Sequence, residues 1–136
     1  MFTEKELTYL KSQRLARIAT VAPDGQPDVM PVAFEFDGTH FYIGGYDVEQ
    51  TRKYRNVLAG NKSIALVIDD WMAVNPWQAR GIRVYGTAEP VEFDGFLGRG
   101  MYLRITPQVT WSWGVESQKH VNGKSVIHKS SHTQPA

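Results

Sequence analysis

The sequence predicts a mainly-β domain, a barrel or a sandwich with a few short helices. Seven short segments rich in branched and aromatic residues follow one another at close spacing. Turn chemistry separates several of them, as at Pro23-Asp24-Gly25 and Asp37-Gly38, and only two segments carry a helix-start pattern. Short strands punctuated by tight turns are what barrels and sandwiches are built from, because each strand pairs with a near neighbour in sequence. At 136 residues, 42% of them hydrophobic, the chain has the size of one compact domain.

The first element is a short helix. Thr3 and Glu6 have capping-box spacing, Phe2 and Leu7 can staple the entry, and the element ends near Gln13. Strand signals follow over Leu15 to Ala22. The next strand, Asp28 to Phe36, alternates: Met30, Val32, Phe34 and Phe36 share one face and Glu35 lies on the other. Asp37-Gly38 turns the chain into a third strand, His40 to Gly44, which completes an antiparallel meander. Asp47 and Gln50 repeat the capping-box spacing and Gly60 fits the left-handed position after a helix end. That helix has Tyr54, Val57 and Leu58 as its apolar stripe, Arg52, Arg55 and Asn56 opposite, and Lys53 at the boundary.

Ser63 to Ile68 shows no alternation and reads as a strand buried on both faces. Asp69 to Gln78 reads as a loop carrying Trp71 and Trp77. Gly81 to Glu89 is the next strand, with Ile82, Val84 and Ala88 facing one way and Arg83, Tyr85 and Glu89 the other. Glu92 to Gly100 reads as a helical or irregular connection, and Met101 to Thr106 and Val109 to Gly114 as a last pair of strands. Beyond Glu116 hydrophobic residues almost vanish. The division is therefore a domain over 1–115 and a polar tail over 116–136, expected to be flexible.

Composition removes several functions. Fifteen Lys and Arg against fourteen Asp and Glu leave a net charge of +1, so no nucleic-acid partner is expected. The absence of cysteine excludes disulfides, thiolate metal sites and a cysteine nucleophile. The longest apolar run, Ile64 to Ile68, is far too short to span a bilayer, and the acidic N-terminus is unlike a signal peptide. A cytoplasmic protein with no membrane partner is the expectation. Nucleophile, Walker and zincin motifs are absent. His128 and His132 have i, i+4 spacing but lie in the polar tail with His120, and His40 reads as a surface residue, so no metal is expected. Asp69 and Asp70 are adjacent in a strand-like run and point to opposite faces, which spoils shared acid–base work.

The basic run Thr51-Arg52-Lys53-Tyr54-Arg55-Asn56 says more. Arg and Lys at the front of a helix give an anion charge-assisted hydrogen bonds, although the pattern taken alone fits a solvated helix face better. Its neighbourhood changes the weighting. Asp28-Val29-Met30-Pro31-Val32-Ala33, Phe41-Tyr42-Ile43-Gly44-Gly45 and Thr51-Arg52-Lys53, in that order, resemble the pyridoxamine 5′-phosphate oxidase-like split-barrel family. Asn75-Pro76-Trp77-Gln78-Ala79-Arg80-Gly81, Gly86-Thr87-Ala88-Glu89 and Trp111-Ser112-Trp113-Gly114 resemble its branch of reductases using the deazaflavin coenzyme F420. The likeness spans residues 5 to 114.

The resemblance implies a split β-barrel of the FMN-binding type and an F420-dependent oxidoreductase that passes hydride to a small conjugated, electron-poor organic acceptor. It implies that Arg52 and Lys53 clamp the cofactor phosphate with help from Arg55, and that Val29, Met30, Pro31 and Val32 line the ring. Ile43 and Gly44 would lie beneath the cofactor's side chain. It also implies a homodimer with the site at the interface, so that Trp77 and Arg80 reach it from the second subunit; interface packing explains Trp77 equally well. F420 has a longer anionic tail than FMN, and Arg14, Arg17 and Lys62 are candidates for a groove along it. Hydride transfer belongs to such a cofactor, so no protein acid or base is obligatory; Tyr42, Tyr85 or water are the candidate proton sources. Pyridoxamine phosphate oxidases proper are longer and close on an Arg-containing segment, so vitamin B6 chemistry is not expected. The alternatives are an FMN-binding oxidoreductase of the same fold, or a non-catalytic protein that holds a flavin or another planar ligand.

Overall fold

The computed structural model describes residues 1–117, 120–121 and 124–132. Helix α1 spans Glu4–Ser12 and starts as its capping box requires: Thr3 Oγ1 accepts from the Glu6 amide at 3.1 Å, and Glu6 Oε1 accepts from the Thr3 amide at 3.0 Å. Strands β1 (Leu15–Val21), β2 (Pro27–Phe36) and β3 (Phe41–Ile43) form the expected meander, and Gly25 supplies the positive φ of its first turn. Strands β4 (Ser63–Val74), β5 (Trp77–Gly95) and β6 (Gly98–Trp113) form a second, longer meander. The sheet order is β3-β2-β1-β4-β5-β6-β9, with β3 also pairing β6, so six antiparallel strands close on themselves as a barrel. The fold is thus the mainly-β split barrel that the sequence predicts.

The split lies in β6. Leu103 to Ile105 pair with β3, whereas Val109 to Ser112 have left it and pair with β9 (His128–Ser131). The change falls where Pro107, with no amide hydrogen to donate, faces Gly86 and the β5–β6 register slips. Side chains directed inward make the core: Ile18, Phe41, Ile43, Leu66, Ile68, Ile82, Val84, Leu103 and Ile105 are essentially inaccessible. Leu10 of α1 and Val57 of α2 (Arg52–Leu58) join the same cluster.

Five expectations change. The second helix does not start at Asp47, which is left-handed (φ 52°) ahead of a single 3₁₀ turn over Val48–Gln50; Thr51 caps α2 instead, its Oγ1 accepting from the Tyr54 amide at 3.4 Å. Strand β4 is buried on one face only, with Ile64, Leu66 and Ile68 inside and Ala65 and Val67 half-exposed outside. Residues 69–78 are the ends of a β-hairpin, with Trp71 and Trp77 packed across it at 4.3 Å between ring centroids. Residues 92–100 are likewise a hairpin between β5 and β6, and 101–113 is one continuous strand because the slip at Pro107 bends the ladder without breaking it.

The tail over 116–136 is not wholly loose. Four of its residues form β9, His132 Nε2 lies 2.8 Å from Thr110 Oγ1, and the His132 ring packs on Phe2. The N-terminal ammonium donates to the Ser131 carbonyl at 3.0 Å. The unpaired edge of β6 explains the attachment, since backbone groups there need partners and a polar strand satisfies them. His120–Val121 (β7) and Lys124–Ser125 (β8) pair as a separate ribbon. The rest of the predicted tail, 118–119, 122–123 and 133–136, lies outside the described residues.

Candidate functional site

Helix α2 sits against β1 and β5, and its placement is held by polar contacts as well as by Tyr54 and Val57. Asn56 is buried and donates through Nδ2 to Thr20 Oγ1 at 3.0 Å. Asn61, just past the helix, donates to the Val21 carbonyl at 2.8 Å. Both acceptors belong to β1, and Thr20 is the cross-strand partner of Asp28 on β2. The end of α2 is therefore fixed against β1, and Lys53 in its first turn lies within the field of Asp28 on β2.

Lys53 is the central charge of this corner. It is half-buried, and burial lowers its ammonium pKa, with the field of Asp28 working in the opposite direction. Neither Lys53 nor Arg52 makes an ion pair within 4.0 Å among the described residues. A desolvated cation without a contacting counter-ion gains from an anionic ligand, so the pair fits a phosphate. Arg55 is partly committed: its guanidinium donates to the Gln50 carbonyl at 2.6 Å.

On β2, Val29 (64% exposed) and Met30 (51%) present apolar surface to solvent together with Pro31, while Val32 is buried in the barrel. Val29 and Pro31 share the outer face and can lie against a ring, whereas Met30 points to the opposite face and Val32 into the core, which leaves their main chain for that role. Ile43 corrects the expectation in the same way, since its side chain is fully enclosed among the core residues. Gly44 has a structural reason to be glycine: a Cβ there would overlap the ring of Tyr102.

Trp77 and Arg80, expected to reach the site from a second subunit, lie on the β4–β5 hairpin of their own chain. Arg80 is engaged within its own chain, bidentate to Asp70 at 2.8 and 3.1 Å and stacked over the Tyr9 ring at 4.7 Å. Tyr9 also donates to Asp70 Oδ1 at 2.8 Å, so Arg80 ties α1 to the β4–β5 hairpin and is no free cation. Asp70 is held below the usual carboxylate range by Arg80, and Tyr9 is pushed far up, first by burial and then by Asp70. Trp77 is at the tip of that hairpin. From Ala65, which faces β1, six residues of strand lead to Trp71, the ring that Trp77 packs on, a span of about 20 Å.

Of the candidate proton sources, Tyr42 is buried and donates to Asp37 Oδ2 at 3.0 Å; burial and that carboxylate raise its pKa. Tyr85 is 46% exposed on the outer face of β5 and makes no hydrogen bond through its hydroxyl among the described residues. Arg17 of the anticipated basic groove is neutralised by Asp69, whereas Arg14 and Lys62 remain exposed. Asn56 and Thr20 escaped the sequence reading, and so did a cluster of Arg83, Tyr85 and Trp111. The guanidinium of Arg83 lies 4.2 Å from the Trp111 ring centre and 5.2 Å from that of Tyr85. Strand alternation places these three on one outer face, but register alone, which the sequence does not print, makes them neighbours.

A closed six-stranded antiparallel barrel, split along one long strand and carrying a helix with a basic first turn, defines a split-barrel protein with a basic corner. Over residues 2–129 the sequence matches the pyridoxamine 5′-phosphate oxidase family, and the chain belongs to that family. A 5a,11a-dehydrotetracycline/5a,11a-dehydrooxytetracycline reductase from Streptomyces rimosus is 39% identical over 122 residues, covering 85% of this chain and 84% of the relative. Among solved structures, an FAD-binding protein from Mesorhizobium loti superposes with a TM-score of 0.61 at 19% identity, over 82% of this chain and 93% of that one. An F420 reductase superposes with a TM-score of 0.54 at 22% identity, over 72% of this chain and 89% of that one. No helix among the described residues is long and apolar enough to cross a membrane.

Proposed function

We propose that this protein is an F420-dependent reductase that delivers a hydride to a conjugated, electron-poor organic acceptor. The observation that carries the reading is the relative from Streptomyces rimosus, whose named reaction removes an unsaturation from a dehydrotetracycline and whose length this chain nearly matches. The site agrees with it. Lys53 and Arg52 supply cationic charge with no internal ion pair, and the exposed Val29 and Pro31 of β2 offer an apolar surface beside them. Bound F420 would supply the hydride.

The chain's own contributions are then positional. Arg52 and Lys53 hold a phosphate at the start of α2, Asn56 fixes that helix to β1, and the free amide and carbonyl edges of β2 orient a ring. Tyr85 is the phenol with an available proton on the outer face. We further propose that the working unit is a homodimer, because Trp71, Met72, Val74 and Trp77 form an exposed apolar hairpin that a second copy would cover while completing the site. The test is turnover. Reduced F420 mixed with the protein and 5a,11a-dehydrotetracycline, or a simpler cyclic enone, should be reoxidised in proportion to enzyme. No reoxidation with any conjugated acceptor, or reoxidation only when FMN replaces F420, would refute the F420 assignment.

A further inference from the structure

We propose that a trough on the outer face of β1, β4 and β5 is the acceptor subsite, and that Arg83 makes it selective for planar conjugated anions such as aromatic carboxylates and enolates. The proposal rests on the reductase reading and adds the substrate's charge and shape.

The cross-strand registers define the trough. Val29, Ala19, Ala65, Tyr85 and Val109 are consecutive partners across five strands, so their side chains form one row on the outer face. Ala19 and Ala65 form the low floor of a hollow of about 420 Å³ walled by Tyr85, Pro27 and Gln108, and Arg83 stands at its rim, its guanidinium 5.2 Å from the Tyr85 ring centre. That falls within the range of roughly 300–1,000 Å³ typical of small-molecule sites. Its wall includes Pro27, next to Asp28, the residue within whose field Lys53 lies, so the trough opens beside the corner already described.

The adjacent row supplies the charge. Pro31, Arg17, Val67, Arg83, Trp111 and Lys129 are partners on the same face. Arg17 is paired with Asp69, and that carboxylate is thereby taken. Arg83 has no carboxylate within 4.0 Å among the described residues, and it is held in place by two aromatic faces, Trp111 and Tyr85. Lys129 Nζ lies 5.7 Å from the same Trp111 ring. A cation immobilised on rings without being neutralised keeps its charge available to a ligand. The Tyr85 hydroxyl, unpaired among the described residues, adds a donor for a carbonyl or enolate oxygen. Flat floor, aromatic wall, phenol donor and rigid guanidinium match a planar anion better than a neutral or a cationic guest.

Tryptophan-quenching titrations of the full chain with anthracene-2-carboxylate and with its methyl ester test this, alongside titration of the same samples with F420. The protein should hold the carboxylate about tenfold more tightly than the ester, the size of one charge-assisted contact at a half-exposed site. Arg83→Gln should bring the two probes to within about twofold, and Arg83→Lys should restore most of the preference. Tyr85→Phe should weaken both probes. F420 affinity should be the same in all three variants, since none alters the Lys53 corner. Equal affinity for acid and ester, or a preference that survives Arg83→Gln, overturns the proposal. So does binding of neither probe by a protein that sediments as a dimer, because a second copy then covers the trough. Carboxylate preference without any F420 binding supports the trough and rejects the reductase reading.

Discussion

Lys53 concentrates the electrostatics of the site in one side chain. Its ammonium is half-buried, lacks an ion pair among the described residues, and stands at the first turn of a helix capped by Thr51. Lys53→Ala should weaken F420 binding by about 1.5–3 kcal/mol, roughly 10- to 100-fold, as measured by fluorescence titration, with little change in unfolding midpoint. Asn56→Ala should act the other way round. It leaves Thr20 Oγ1 buried without its partner, so thermal or urea unfolding should show a loss of about 1–3 kcal/mol, with cofactor affinity falling as α2 loosens. The sequence exposed Lys53 because charge pattern is a local property. It hid Asn56, which at its helical position looked like a solvated neighbour of Arg55, because only the packing against β1 shows which side of the boundary it occupies. Gly44, which the resemblance puts beneath the cofactor, must be glycine because of Tyr102, which lies far along the chain.

At the level of elements, the strands were visible and their lengths were not. Alternation in 28–36 and 81–89 identifies β2 and β5, yet the hairpins at 69–78 and 92–100 carry no such pattern and resemble connections. Trp71 and Trp77 stabilise the first of these hairpins by contact across the ladder, a pairing that depends on register. Strand β9 is the sharpest case. His128 to Ser131 is almost wholly polar, so nothing in its composition marks a strand; the open edge of β6 recruits it. This attachment should depend on pH. Burial, and next the N-terminal ammonium, lower the pKa of His132, while Glu6 opposes them. A lowered folded-state pKa means the detached strand takes up a proton more readily, so the attachment is full above the ordinary histidine value of about 6.5 and is lost as pH falls through the lower folded value. Amide protection factors at 128–131, which remove the intrinsic pH dependence of exchange, should therefore fall below about pH 6.5 while those of Ile82 and Val84 hold. Constant protection across that pH range would remove His132 as the anchor.

For the whole molecule, the Trp71–Trp77 hairpin is an exposed apolar surface that a single copy does not bury. The homodimer proposed above predicts that sedimentation equilibrium finds two copies, and that Trp77→Ser shifts the protein towards monomer and weakens cofactor binding at micromolar protein. A monomer of full cofactor affinity would show that the site is complete in one chain. The barrel class was open to the sequence because it follows from strand count and turn spacing, whereas subunit arrangement depends on surfaces assembled from distant segments. Proposed F420 binding at Lys53 and β2 underlies the rest. Parallel titrations of the purified chain with F420 and with FMN, read through tryptophan emission, examine it most directly. Saturable F420 binding at least tenfold tighter than that of FMN is the predicted result. A preference for FMN, or binding of neither, would contradict it.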